Sequence, residues 1–155
     1  MNILILIINI IIAEGTGILS GYLGLTNREN YKDFIKPNFT PPYWVFIVIS
    51  IILYMLMAIA VYKILLKRKN VYINRAVTLY TIQLILNFLW PIIFFRFRLI
   101  AIAFIEIMML IIFTLLTTFE FFRIDKISGF LMLPYIIWGC FTAVLNFTFW
   151  MLNNM

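Results

Sequence analysis

Histidine is absent from the 155 residues, and cysteine occurs once, at Cys140. Without histidine the chain lacks the usual general base near neutral pH and the usual ligand for transition metals or haem. A lone cysteine forms no internal disulfide and completes no zinc site. Charge is scarce: 12% of residues are Asp, Glu, Lys or Arg, against about 25% in soluble domains. Hydrophobic residues make up 65% and mean hydropathy is +1.08. That leaves too little polar surface to wrap a water-soluble globule. No nucleophile–base pair or metal-ligand cluster is visible. Gly17, Gly21 and Gly24 follow no strand, so they make no dinucleotide fingerprint. The residues read as a binder rather than a catalyst, and they call for no cofactor.

What is present is a set of long apolar segments, at about 2–25, 43–66, 74–95, 99–122 and 127–153. At 1.5 Å per residue each crosses about 30 Å of hydrocarbon. Isoleucine richness would favour strands in water, but in lipid the backbone must pair with itself, which selects helices. The expectation is an all-α fold: one domain over 1–155, an integral multi-pass bundle of five transmembrane helices. The opening MNILILIINIII lacks a basic flank and runs past signal-peptide length, so it reads as the first span. Twelve basic residues against six acidic give a net charge of +6. They sit between the apolar runs, where they anchor in lipid headgroups. They form no basic face for nucleic acid. With the N-terminus inside, seven basic residues (Lys63, Lys67, Arg68, Lys69, Arg75, Arg123, Lys126) face the cytoplasm against five outside (Arg28, Lys32, Lys36, Arg96, Arg98). The bias favours N-terminus in and C-terminus out, in the cell membrane.

Three of the connections are tight. The first, 26–42, is long, and its end runs into the second segment as KPNFTPPYWVF, residues 36–46. Pro41 and Pro42 suit the start of the second helix, where missing amide donors cost least. Thr40 is placed to cap it, and Tyr43 and Trp44 suit the headgroup level. The prolines stiffen this loop. Within the spans, polar and aromatic residues fall in stripes spaced three or four apart. The third helix gives Gln83, Asn87, Trp90 and Phe94. The fifth gives Trp138, Thr142, Asn146 and Trp150. The second offers Phe46, Ser50, Tyr54 and Met57, and the fourth Glu106, Leu110, Phe113 and Thr117. Ala13, Gly17 and Gly21, with Ser20 and Gly24 beside them, form a small-residue ladder that lets a neighbouring helix come close. Gln83 and Asn87 suit interhelical hydrogen bonds as well as a ligand, and Trp150 suits an interface anchor. Glu106, an acid inside a span, marks a functional site by default, and Glu14 is a candidate for the same network. Aromatic walls with a few amides, a hydroxyl and an acid suit a flat, mostly apolar ligand.

GILSG, KPNFTPPYWVF, LYMLMAIAVY, QLILNFLWPIIFF, AFIEIMML and LPYIIWGCFTAVLNFTFWMLN occur in that order with compatible spacing. Together they resemble the TspO/MBR family, the tryptophan-rich sensory proteins related to the mitochondrial translocator protein. The resemblance implies a five-helix bundle, often a homodimer, with a ligand pocket closed by the first loop. It implies porphyrin binding, with sterols and benzodiazepine-type drugs in some members, and roles in tetrapyrrole regulation, transport or stress sensing. Carried over by motif, the pocket comprises Tyr31, Pro42, Phe46, Ser50, Tyr54 and Asn87. Trp90, Phe94, Glu106, Leu110, Trp138, Thr142 and Asn146 complete it. The chain departs from the pattern at Asn30, Phe39 and Ser50, where tryptophan is common, and at Thr142, where alanine is usual. The tryptophans at the positions of Ser50 and Trp138 are linked in the family to light-dependent porphyrin breakdown, and only Trp138 remains. The C-terminal VLNFTFWMLNN lacks the Tyr and basic residue of the sterol pattern. The leading expectation is a receptor or carrier for a tetrapyrrole, with Asn87, Asn146 and Glu106 orienting its polar edge and Lys32 and Lys36 meeting its propionates. A porphyrin-degrading enzyme and an interaction protein with a vestigial pocket are the alternatives.

Overall fold

The structure, a computed structural model, describes residues 2–24, 32–67 and 69–153. Five helices are long and apolar enough to cross a membrane. They are α1 (Asn2–Gly24), α2 (Tyr43–Leu65), α3 (Ile73–Pro91), α4 (Ile100–Ile124) and α5 (Lys126–Asn153). A π-helical turn, Ile92–Arg96, extends α3. The helices close a ring in which α1 packs on α2, α2 on α5, α5 on α4, α4 on α3, and α3 back on α1. Each helix turns Ile, Leu and Val outward, as Ile3, Ile11, Ile52, Ile105 and Ile137 illustrate. In lipid that face needs no other cover.

The ring places polarity inside. Gln83, Asn87, Glu106, Thr142 and Asn146 are all buried, as the stripes predict. Most buried threonines hydrogen-bond back to their own helix: Thr114 to the Leu110 carbonyl, Thr118 to Thr114, and Thr142 to Trp138, each at 2.7–2.8 Å. Such hydroxyls are satisfied before any neighbour or ligand arrives.

The α1 ladder divides in two. A Cβ at Gly17 would lie 2.6 Å from Cε2 of Tyr54, and one at Gly24 would lie 2.8 Å from the Pro91 carbonyl oxygen. Glycine is needed at both for α1 to reach its neighbours. A Cβ at Gly21 would meet nothing within 4 Å. Gly21 therefore differs from the expectation of a packing residue, because it faces open space.

Two acids organise one end of the bundle. Glu120 is buried and pairs with Arg75 at 3.2 Å and Arg123 at 3.4 Å, tying α3 to α4. The guanidinium of Arg123 also lies 4.1 Å from the Tyr72 ring centroid. Asp125 is the single residue between α4 and α5, so the expected four-residue link 123–126 contracts to one. Its Oδ2 accepts from the Ser128 amide and hydroxyl, each at 2.9 Å, which caps α5. Lys67 lies 3.4 Å away and Lys63 3.9 Å away. At the opposite end Thr40 does not cap α2: Pro42 holds that position without a side-chain bond, and Thr40 donates to the Pro37 carbonyl at 2.8 Å. The proline-rich turn bends back on itself, so its hydroxyl is used before the helix starts.

Burial alone would raise the pKa of Asp125, but the Ser128 donors and the two lysines outweigh it and hold the carboxyl below its ordinary value. A depressed folded pKa contributes stability above the unfolded value, near 3.9, and loses it as pH falls below. Asp125→Ala is expected to cost about 1 kcal/mol at neutral pH. In detergent unfolding experiments the gap between the two proteins should narrow below about pH 4. A gap that stays constant to pH 3 would remove Asp125 from this role. Gly17→Ala should destabilise by about 1–3 kcal/mol through overpacking on Tyr54. Gly21→Ala should be neutral or stabilising by up to about 1 kcal/mol. Equal effects of the two changes would contradict the division of the ladder.

Candidate ligand-binding site

Pro91 shapes the site. Its ring cannot donate to the carbonyl four residues back, and it crowds the preceding turn. The next amide, Ile92, bonds Leu89 rather than Phe88. The Phe88 carbonyl instead accepts the Ser20 hydroxyl of α1 at 2.6 Å. Beyond the proline the backbone widens into the π turn, with the Phe97 amide reaching the Ile92 carbonyl at 3.1 Å. Such π turns often sit at functional sites.

Two adjoining cavities lie against this break. The larger, of about 590 Å³, runs between α1 and α2. From α1 it is lined by Glu14, Gly17, Ile18, Ser20, Gly21 and Tyr22, and from α2 by Tyr43, Phe46, Ile47, Ser50, Ile51 and Tyr54. Trp90, Pro91 and Phe95 form its third wall. The smaller, of about 100 Å³, enters the bundle centre past Asn87, Leu110, Tyr135, Trp138 and Thr142. Phe46, Ser50, Tyr54, Trp90 and Pro91 border both.

Eight expected residues therefore line a cavity: Phe46, Ser50, Tyr54 and Trp90 line both, and Asn87, Leu110, Trp138 and Thr142 line the smaller. The others have different places. Asn146 lines neither cavity: its Oδ1 accepts from Trp90 Nε1 at 3.1 Å and its Nδ2 donates to the Ile100 carbonyl at 2.9 Å. Both ends of the amide are occupied, so Asn146 fixes the Trp90 ring rather than meeting a ligand. Phe94 stacks behind Trp90, centroids 5.1 Å apart, and supports it from the core. Pro42 is exposed at the start of α2. Tyr31 lies outside the described residues. Glu106 is buried on α4 but lines neither cavity, and neither carboxyl oxygen has a hydrogen-bond partner. Asn87 accepts from the Tyr135 hydroxyl and leaves its Nδ2 unpartnered toward the smaller cavity.

The segment 32–42 closes this end of the bundle. Phe34 is buried against Phe94 and Phe149, with ring centroids 6.2 and 6.1 Å away. The Arg98 guanidinium covers it at 4.6 Å. Asn153, the last residue of α5, accepts from the Ile35 amide at 2.9 Å and donates to its carbonyl at 3.0 Å. The segment is thus tied to the last turn of α5, and Phe39 meets Phe141 edge-on at 6.5 Å.

Apart from Glu14, a candidate for the Glu106 network, the α1 wall was not among the expected site residues. Glu14 carries the signal that singled out Glu106, an acid inside a span, and its Oε1 is buried without a partner. Glu14, Ile18 and Gly21 share a face at spacings of four and three. Among the described residues no group of three or more Cys, Asp or Glu is placed to hold a metal ion.

The sequence pattern of the TspO/MBR family matches residues 8–151. The chain is 37% identical over 125 residues to the tryptophan-rich protein TspO of Chlorobaculum tepidum, covering 79% of this chain and 78% of that one. It is 34% identical over 125 residues to the tryptophan-rich sensory protein of Cereibacter sphaeroides, covering 81% and 77%. It is 32% identical over 127 residues to the human translocator protein, covering 80% and 75%. With five spanning helices in one ring and a match over nearly its whole length, the chain is an integral multi-pass membrane protein and belongs to the TspO/MBR family.

Proposed function

We propose that the protein is a membrane receptor or carrier for a flat, mostly apolar ligand, with a tetrapyrrole the first candidate. The observation that carries this reading is the cavity of about 590 Å³ bounded by the rings of Phe46, Tyr54, Trp90 and Phe95. Its volume falls within the range of small-molecule sites, roughly 300–1,000 Å³. Aromatic walls hold a conjugated macrocycle by stacking and edge contacts. Trp90 is a rigid surface for this, backed by Phe94 and held by Asn146. Lys32 and Lys36 are exposed on the segment that closes this end, where propionate groups would find them. The names of the relatives, a sensory protein and a translocator protein, fit binding and signalling or carriage.

The larger cavity is the place for a macrocycle. The smaller, about 100 Å³, admits only a substituent. Trp138 borders that smaller space alone, its ring 5.4 Å from Phe46 and 5.2 Å from Phe141. The reading is therefore one of binding, with no chemistry assigned to Trp138.

Titration of the purified protein with protoporphyrin should give saturable tryptophan quenching and a Soret shift. A dissociation constant of tens of micromolar or tighter is expected, on the order of −6 to −7 kcal/mol. Phe46→Ala should weaken it roughly three- to tenfold through the lost ring contact. No saturation at up to about 100 µM would sink the proposal.

A further inference from the structure

The larger of the two cavities has one carboxylate among its described lining residues, Glu14, and the function proposed above does not use it. Glu14 stands ten residues before the end of α1, about 15 Å from the loop side at 1.5 Å per residue. That is mid-depth in a hydrocarbon layer of about 30 Å. Its side chain lines the cavity and its Oε1 is buried with no hydrogen-bond partner. An acid at this depth is expensive and normally serves a bound group or a path. Three phenols, Tyr22, Tyr43 and Tyr54, also stand on the wall, and no basic residue lines it among the described residues.

The cavity is also open to the side. Ile18 and Ile47, on facing helices, both line it, and they are 69% and 44% exposed. In a membrane that opening faces lipid tails. A ligand reaching it from the bilayer must be apolar over most of its surface. Gly21 faces the same space with nothing within 4 Å of an added Cβ.

The geometry points to a second ligand class for this cavity: a lipophilic amine, arriving from the membrane between α1 and α2, whose N–H group binds the Glu14 carboxyl while its rings lie against Phe46, Tyr54 and Trp90. An ammonium paired with an acid in a low-dielectric cavity makes a charge-assisted hydrogen bond, roughly twice as strong as a neutral one. Tyrosine and tryptophan faces add cation–π attraction nearby. An anionic ligand gains nothing from Glu14, so the residue separates amines from acids. The inference shares the cavity with the tetrapyrrole reading but does not rest on it.

The test uses the full chain in detergent or nanodiscs with 1-pyrenylmethylamine and its uncharged N-acetyl derivative. Energy transfer from Trp90 and the other tryptophans to pyrene reports binding. The wild type should bind the amine at least about tenfold more tightly than the acetylated probe. Glu14→Gln should erase that preference while the acetylated probe changes by less than about twofold. Gly21→Leu, whose Cβ meets nothing within 4 Å and whose side chain would extend into the cavity, should abolish binding of both. Thermal unfolding verifies that each variant is folded, and Glu14→Leu replaces Glu14→Gln if the latter is not. An unchanged amine preference in a folded Glu14 variant would overturn the inference, as would full amine binding by Gly21→Leu or no preference in the wild type. Protoporphyrin titrated separately into the wild type decides the tetrapyrrole reading, so either proposal can fail alone.

Discussion

Pro91 has no amide hydrogen, and in hydrocarbon that lack must be answered inside the protein. Three features of the structure answer it. Ile92 shifts its bond to Leu89, the Phe88 carbonyl takes the Ser20 hydroxyl, and the backbone continues as a π turn to Arg96. Each has a consequence elsewhere. The Ser20 bond, with the close approach of Gly24 to the Pro91 carbonyl, pins the last turns of α1 to α3. The π turn carries Phe94 and Phe95 round, so that Phe95 meets the larger cavity while Phe94 supports Trp90 and Phe34. Pro91 itself borders both cavities. One missing donor thus holds α1 at one end and leaves room between α1 and α2 toward its middle.

The same constraint decides which polar groups are left for a ligand. Thr114, Thr118 and Thr142 bond their own helices, and Asn146 is occupied on both sides. Ser20 is committed to Phe88. Among the described groups bordering the two cavities, the buried side-chain atoms without a partner are Asn87 Nδ2, a donor in the centre, and Glu14 Oε1, an acceptor on the α1 side. Unpaired buried polar atoms cost roughly 1–3 kcal/mol each, so a ligand that pairs them recovers that cost. Under the proposed binding role, the apolar walls would set how much a ligand gains and these two atoms its orientation.

The five helices were legible because length and hydropathy in lipid leave few alternatives. The inward stripes were legible because buried polar residues must repeat with the helix: Gln83, Asn87, Thr142 and Asn146 all lie inside. Roles within a stripe were not. Asn87 and Asn146 look alike in sequence, yet one has a free amide and the other is bonded at both ends, and that difference depends on Trp90 and Ile100 on other helices. Gly17 and Gly21 are likewise equivalent in a ladder. Only the placement of Tyr54 makes the first a contact and the second a cavity wall. The single-residue link at Asp125 was missed because its capping bonds run to Ser128, inside what reads as the next span.

Ser50 connects the departures from the family pattern to the shape of the site. It borders both cavities, at a position where the family resemblance leads one to expect tryptophan. A large ring there would stand between the two spaces and occupy part of each. With serine at this position the Phe46 and Trp138 rings lie 5.4 Å apart, and the bundle centre holds about 100 Å³ against about 590 Å³ on the α1–α2 side. The greater open volume therefore lies on the α1–α2 side, whose α1 face carries an acid and glycines. Under the proposed binding role, selectivity would then turn on Glu14 and Gly21, which line the larger cavity, more than on the aromatic cluster around Trp138.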